Sequence, residues 1–212
     1  MIDDPRVQPL LEWNRLAKQN TEDAIVSSMF EASFKASEPM DEFATWLLIG
    51  TAAIASFLVT NADKLVPFIG QKGFLVCGAF LCFSCLFGFI AKMYALRCKI
   101  QIEAGTTVRK MFAEQLAKHD DEEKNIKESA NVWGITLETE IRWERVFSEF
   151  YKPFPCWAVW LANRSLKKLA GNPQIGYYPV IKVLNRQGLF AAAQTLFFLG
   201  FLIAGFSYAA AI

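Results

Sequence analysis

The chain has 212 residues, of which 53% are hydrophobic and 20% charged, and its formal net charge is +1. This balance provides no global basic field that would attract nucleic acid, so we expect no nucleic-acid partner. Three long stretches carry no ionised side chain, while the rest of the chain is richly charged. A bilayer imposes such segregation, because each ionised group in hydrocarbon carries a large free-energy cost. The composition therefore predicts an all-α membrane protein with three transmembrane helices.

Residues 1–42 precede the first apolar stretch and mix apolar with polar side chains. Leu10, Trp13 and Ala17 fall on one face of a helix in this segment. An apolar stripe on an otherwise polar helix is typical of an amphipathic element. We therefore interpret 1–42 as an N-terminal cytoplasmic amphipathic helix.

The first two apolar stretches, at 43–62 and 73–91, contain no ionised side chain. A helix needs about 20 residues to cross a hydrocarbon core of about 30 Å, and both stretches have this length. They predict a transmembrane hairpin within 43–97, with helices at about 43–62 and 73–95. The segment between them reads as a loop.

Small residues recur along one face of the second transmembrane helix, where they would let another helix approach closely. They are Cys77, Ser84, Gly88 and Ala91. The same helix carries a C-x-x-C, formed by Cys82 and Cys85, but a zinc site needs about four ligands. The chain has one histidine. We therefore interpret these cysteines as packing residues and expect no metal site.

Residues 98–187 read as a cytoplasmic helical region that forms a bundle with 1–42. A helix continues from the second apolar stretch, and another begins near Thr136. Apolar side chains at i, i+3, i+4 and i+7 predict a buried face on this later helix. They are Trp143, Val146, Phe147 and Phe150.

A separate helix at about 155–169 follows Pro153 and Pro155, which break the preceding one. It places Trp157 and Trp160 ahead of three cations, Arg164, Lys167 and Lys168. One interpretation is an in-plane interfacial helix with aromatics at the headgroup boundary and cations toward anionic lipid. The other is an ordinary helix that packs its aromatic side chains on its neighbours.

Residues 188–212 form the third apolar stretch and predict a C-terminal transmembrane helix. It repeats the small-residue pattern with Gly200, Ala204 and Ser207. Gln194 is a lone amide in this helix, and such a group stabilises most when it bonds to another helix. Three helices offer little surface to hide two small-residue stripes and Gln194 within one chain. We therefore expect a closed homo-oligomer.

The distribution of Lys and Arg predicts the orientation, because short loops rich in these residues stay in the cytoplasm. Most of the cations near the apolar stretches lie between residues 92 and 187. This bias places the N-terminus in the cytoplasm and the C-terminus on the far side. We expect a bacterial inner membrane or a plasma membrane, with membrane lipid as an obligatory partner.

No nucleotide-binding, nucleophile-elbow or metalloprotease motif occurs in the chain. We therefore expect a protein that is not an enzyme and has no catalytic residue or cofactor. The first functional hypothesis is an oligomeric scaffold or adaptor that docks a cytoplasmic protein partner. Its candidate contact residues are Trp143, Phe147, Phe150, Trp157, Trp160, Lys167 and Lys168.

The alternative hypothesis is a homo-oligomeric pore or membrane-perturbing effector. A transmembrane hairpin followed by a cytoplasmic helix is similar to small membrane effectors of bacterial defence or toxin systems. A polar edge on the first transmembrane helix would then face a water-filled axis. Its residues are Ser56, Thr60 and Asn61.

Overall fold

The computed structural model describes residues 7–135, 141–169 and 171–210. These residues form α-helices and no strand, which confirms the all-α prediction for the described part of the chain. The six helices are α1 (Val7–Phe34), α2 (Ser37–Thr60), α3 (Ala62–Trp133), α4 (Trp143–Tyr151), α5 (Cys156–Leu169) and α6 (Tyr178–Ala210).

Three helical stretches are long and apolar enough to cross a membrane, by length and composition. Their bounds are Gln8–Thr60, Ala62–Trp133 and Tyr178–Ala210. The predicted apolar stretches lie in α2, α3 and α6, which we call the apolar helices. These helices extend well beyond the apolar residues themselves. Helix α6, for example, begins at Tyr178, before the apolar stretch that starts at Gly188. Pro179 is tolerated in the first turn of a helix, and no helix-breaking residue lies between it and Gly188.

The segment predicted as a loop between the first two apolar stretches is largely helical. Helix α3 begins at Ala62, and only Asn61 separates it from the end of α2 at Thr60. The helical backbone is interrupted at Gly70, which has φ 72° and ψ 159°. Glycine adopts a positive φ without the steric cost that a Cβ atom would bring. The chain therefore breaks the helix at one glycine rather than forming a long loop.

The described chain divides into two compact units, and this division differs from the predicted bundle. The first unit comprises 1–102 and 176–212, and the second comprises 103–175. Helix α1 thus belongs with the apolar helices. The physical reason is an aromatic contact, in which Phe30 and Phe34 stack on Tyr177 with ring centroids 5.6 and 6.0 Å apart.

Contacts within the first unit fix the directions of the apolar helices. Residue pairs between α2 and α6 rise together in number, from Ser37 with Gln187 to Ala44 with Gln194, so these helices are parallel. Lys92 of α3 pairs with Asp41, which lies between Ser37 and Ala44 on α2. Further along α2, Leu48 lies against a lower-numbered residue of α3, Gly88. Helix α3 is therefore antiparallel to both.

The α4 face that the sequence predicts to be buried is exposed in the second unit. Trp143 is 43% exposed, Phe147 48% and Phe150 60%. Trp143 stacks on Phe112 of α3, with ring centroids 6.3 Å apart. An apolar face is buried only where another element covers it, and this contact covers one end of a nine-residue helix. The predicted start of this helix near Thr136 lies outside the described residues.

Candidate functional site

Gln194 lies at the centre of the apolar helices and is fully buried. Its Nε2 donates a hydrogen bond to the carbonyl oxygen of Ala44 in α2, at 3.2 Å. Its backbone carbonyl oxygen accepts a hydrogen bond from Oγ of Ser84 in α3, at 3.1 Å. Because α6 bonds to both neighbours at this residue, Gln194 links all three apolar helices.

Gly88 provides the space that the Gln194 side chain occupies. A Cβ atom placed on Gly88 would lie 2.6 Å from Nε2 and 2.7 Å from Cδ of Gln194. It would also lie 3.0 Å from Cδ1 of Leu48. Atoms in proteins do not approach so closely without displacement, so this position accepts glycine and resists larger residues.

Gln187 forms a second polar link one heptad before Gln194. Its Nε2 donates to the carbonyl oxygen of Ser37 at 2.8 Å, and its Oε1 accepts from Oγ of Ser37 at 2.7 Å. The side chain is 1% exposed. The apolar pattern of the sequence does not single out Gln187, because this residue precedes the third apolar stretch. Its spacing of seven from Gln194 was the available signal.

An ion pair joins α2 and α3 near the same end of the apolar helices. Nζ of Lys92 lies 2.7 Å from Oδ1 of Asp41. It also donates to Oγ1 of Thr45, at 2.9 Å. Both charged side chains are about one-third exposed. The sequence indicated Lys92 as a cation at the end of an apolar stretch, but the partner required the tertiary structure.

The small-residue stripe of α3 is buried within a single chain. Its four members, Cys77, Ser84, Gly88 and Ala91, are all buried. We expected a second copy because one chain had seemed too small to hide this stripe and Gln194. Helices α2 and α6 of the same chain cover these residues, so their burial does not require an oligomer. Self-association itself stays a prediction.

The stripe of α6 is only partly covered. A Cβ atom on Gly200 would lie 2.7 Å from Cε1 of Phe80 in α3, so this glycine also packs within the chain. Ala204 is half-buried and Ser207 is exposed. A large residue at Gly200 would consequently disturb α3–α6 packing directly. It would not report specifically on contacts between copies.

Aromatic rings fill much of the remaining space between α3 and α6. Phe87 stacks on Phe190 and Phe197, with centroids 6.0 and 5.1 Å apart. Tyr94 stacks on Phe190 at 5.4 Å and also lies under the guanidinium of Arg186, at 5.9 Å. Such pairs stabilise packing beyond the area that they bury. They explain how three slender helices enclose a polar centre.

The candidate pore edge lies on the less covered part of α2. Ser56 and Thr60 are exposed and Asn61 is half-buried. Thr60 Oγ1 donates to the Ser56 carbonyl and Asn61 Nδ2 donates to the Phe57 carbonyl, both at 2.9 Å. Bonds of this kind to the preceding turn lower the cost of placing a polar side chain against lipid. The geometry is therefore compatible with lipid, with a second helix or with a water-filled axis.

Helix α5 presents an aromatic and cationic surface in the second unit. Trp157 is 70% exposed and Trp160 59%. Arg164 lies over the Trp160 ring, with its Cζ 5.2 Å from the centroid. Lys167 and Lys168 are exposed further along the helix. This arrangement combines a rigid apolar platform with three positive charges.

Among the described residues, one group of side chains could place three donors around a metal ion. His119, Asp120 and Glu123 have donor atoms within 4.8 Å of one another. Glu123 already pairs with Lys127, at 2.5 Å. Zinc takes about four ligands and calcium about six to eight, so this surface group is a poor match for either ion.

The candidate features are thus a buried polar centre and two exposed surfaces. The polar centre consists of the Gln187 and Gln194 amides and the Ser37 and Ser84 hydroxyls, which bond to one another or to backbone carbonyl oxygens. The exposed surfaces are the aromatic face of α4 and the aromatic–cationic face of α5. The chain matches no family model, and no curated protein or solved structure is similar to it.

Proposed function

We propose that this protein is a non-enzymatic membrane scaffold or adaptor that docks a cytoplasmic protein through α4. The observation that carries the proposal is the exposed aromatic face of Trp143, Phe147 and Phe150. Contiguous exposed apolar surface marks interaction sites in proteins. Aromatic side chains are also enriched in the residues that contribute most binding energy.

The proposed orientation places residues 1–42 and 98–187 in the cytoplasm and the C-terminus on the far side. The parallel arrangement of α2 and α6 supports it, because the segments that lead into both helices then lie on the same side. The Lys and Arg bias between residues 92 and 187 indicates that this side is cytoplasmic. A bacterial inner membrane or a plasma membrane is the proposed location.

We expect cysteine labelling to reveal this orientation in intact cells. A membrane-impermeant maleimide should label an added cysteine at Ser207, on the far side, and should not label one at Lys118 until the membrane is opened. The native cysteines are first replaced by Ala or Ser. Labelling of the Lys118 site in sealed cells, with protection of the Ser207 site, contradicts the proposed orientation.

The scaffold proposal predicts that a partner is retained through the α4 face. Phe147→Ser combined with Phe150→Ser should reduce the co-purified partner at least 10-fold, because removal of an aromatic anchor costs about 2 kcal/mol or more. The measurement is quantitative mass spectrometry after purification in mild detergent. Trp133→Ser is the control, since Trp133 is an exposed aromatic on α3 in the same unit. Equal recovery of every co-purified protein with all three preparations contradicts the proposal.

The alternative function is a homo-oligomeric pore, favoured by the exposed Ser56 and Thr60 on α2. Proposed self-association would use the same exposed face, where Ala52 and Ser56 form a small-residue pair at helical spacing. Reconstitution of the purified protein into liposomes distinguishes the two functions. A scaffold leaves them tight, whereas a pore leaks ions and is narrowed by Ser56→Phe. A mutation-sensitive leak together with a multimeric mass in detergent would replace the scaffold proposal.

A further inference from the structure

We propose that the outward face of α5 binds the phosphate headgroup of an anionic membrane lipid. The proposal uses the inferred membrane location and is independent of any protein partner. It assigns to α5 a ligand that differs in chemistry from the protein docked by α4. The charge and geometry of α5 favour lipid over a soluble anion.

One side of α5 is half-buried while the opposite side is exposed. Ala158, Val159 and Ala162 are half-buried. The outward residues recur at helical steps of three and four, which places them in one stripe along the helix. They are Trp157, Trp160, Leu161, Arg164, Lys167 and Lys168. The apolar half of the stripe comes first and the cationic half follows.

The cationic half forms a shallow concavity of about 370 Å³ that suits a phosphate group. It is lined by Trp160, Asn163, Arg164, Lys167 and Lys168. Arginine and lysine bind phosphate oxygens through charge-assisted hydrogen bonds, and an asparagine amide adds neutral donors. The stacking of Arg164 on Trp160, at 5.2 Å, restricts the guanidinium before any ligand binds. Among the residues that the structure describes, no acidic side chain lines the concavity.

The surrounding sequence is cationic without compensation by acids. From Phe150 to Ile212 the chain contains no Asp or Glu. Its cations in this region are Lys152, Arg164, Lys167, Lys168, Lys182 and Arg186. Clusters of about four to eight Lys and Arg residues beside a membrane-spanning helix attract anionic lipid. The charge pattern therefore complements a lipid surface.

Two further features favour lipid over a soluble anion. Only residues 170–177 separate α5 from α6 along the chain, so the cations lie within a short stretch of sequence before an apolar helix. Exposed tryptophans next to the cations are typical of side chains at the level of lipid headgroups. A soluble phosphate would use the cations but would leave Trp157, which is 70% exposed, without a role.

The test uses the full chain in lipid nanodiscs and measures quenching of tryptophan fluorescence by brominated lipid. Brominated phosphatidylglycerol, an anionic lipid, is compared with brominated phosphatidylcholine, which is zwitterionic. The contribution of α5 is the part of the quenching that is lost in a variant carrying Trp157→Phe and Trp160→Phe. Quenching of Trp46, an exposed residue of α2, by either lipid reports independently that the protein is inserted.

We expect the fluorescence of Trp157 and Trp160 to be quenched at a lower mole fraction of the anionic lipid than of the zwitterionic one. Lys167→Gln with Lys168→Gln should reduce this preference roughly 25-fold, since each cation near an anionic surface contributes about 1 kcal/mol. The matched control is Lys118→Gln with Lys124→Gln, which removes the same charge from exposed positions of α3 in the same unit. This control should retain the preference.

Three results would overturn the proposal. Quenching of α5 that is equal for the two lipids shows no headgroup recognition. An equal loss of preference in the Lys118, Lys124 control shows that net charge alone is responsible. Displacement of the anionic lipid by millimolar inorganic phosphate shows a small-anion site. Failure of the α4 partner experiment affects none of these readouts, so the two proposals fail separately.

Discussion

Gly88→Leu is expected to lower the unfolding free energy of the apolar helices by about 3 kcal/mol. Overpacking of a filled interior costs about 1–3 kcal/mol. Displacement of the Gln194 side chain also removes the bond from its Nε2 to Ala44, and an interhelical bond of this kind contributes about 0.6–1.7 kcal/mol. The built Cβ position lies 2.6 Å from Gln194 Nε2, so even the first carbon of leucine requires displacement.

The measurement is reversible unfolding in mixed micelles as the fraction of denaturing detergent rises. Gly78→Leu is the matched control, because Gly78 lies on the same helix and, apart from its chain neighbours and the adjacent helix backbone, no heavy atom lies within 4 Å of its Cβ position. Both substitutions remove one glycine and add the same side chain, so helix propensity cancels. The control should differ from the wild type by at most about 1 kcal/mol, in the stabilising direction, from helix propensity. Equal stability of the two variants would show that the Gly88 contact does not form.

Gln187→Ala is expected to cost about 3 kcal/mol. The substitution leaves the hydroxyl and the carbonyl oxygen of Ser37 without their partner, and an unsatisfied buried polar group costs about 1–3 kcal/mol. It also opens a cavity at a side chain that is 1% exposed. The same unfolding measurement applies. The expected loss is larger than for one hydrogen bond because both ends of the amide are engaged.

A double-mutant cycle with Ser37→Ala isolates the hydrogen-bonded pair from the cavity. We expect a coupling energy of about 1 kcal/mol, since contacting residues in one network are not additive. Thr195→Val is the control for loss of a polar group in α6, because its hydroxyl donates to Ala191 of the same helix, at 2.9 Å. Strictly additive losses for Ser37 and Gln187 would contradict the assigned pair.

These two expectations follow from one structural principle, that polar side chains set the register of helices in an apolar medium. Hydrophobic burial does not separate one helix from another when the surroundings are equally apolar. Gln187 and Gln194 bond to Ser37 and Ala44, and both pairs advance by seven residues. A shift of α6 by one turn along α2 would break both bonds together. The spacing therefore specifies one parallel alignment.

The sequence by itself determined that the chain is helical and that three stretches are suited to a bilayer. This information is local, because an uncharged run of about 20 residues satisfies its backbone only as a helix in hydrocarbon. Helical periodicity likewise identified the α3 stripe from Cys77 to Ala91. It could not identify what covers the stripe, since that depends on side chains more than one hundred residues away, such as Gln194 against Gly88.

Only the tertiary structure decided which surfaces are covered. The α4 face of Trp143, Phe147 and Phe150 has the pattern of a buried face, yet it is exposed because one contact with α3 covers only its end. Gln187 lies outside the apolar stretches, yet it is buried because Ser37 satisfies both ends of its amide. A pattern records the preference of each side chain for burial. Whether that preference is met depends on the neighbour that the fold supplies.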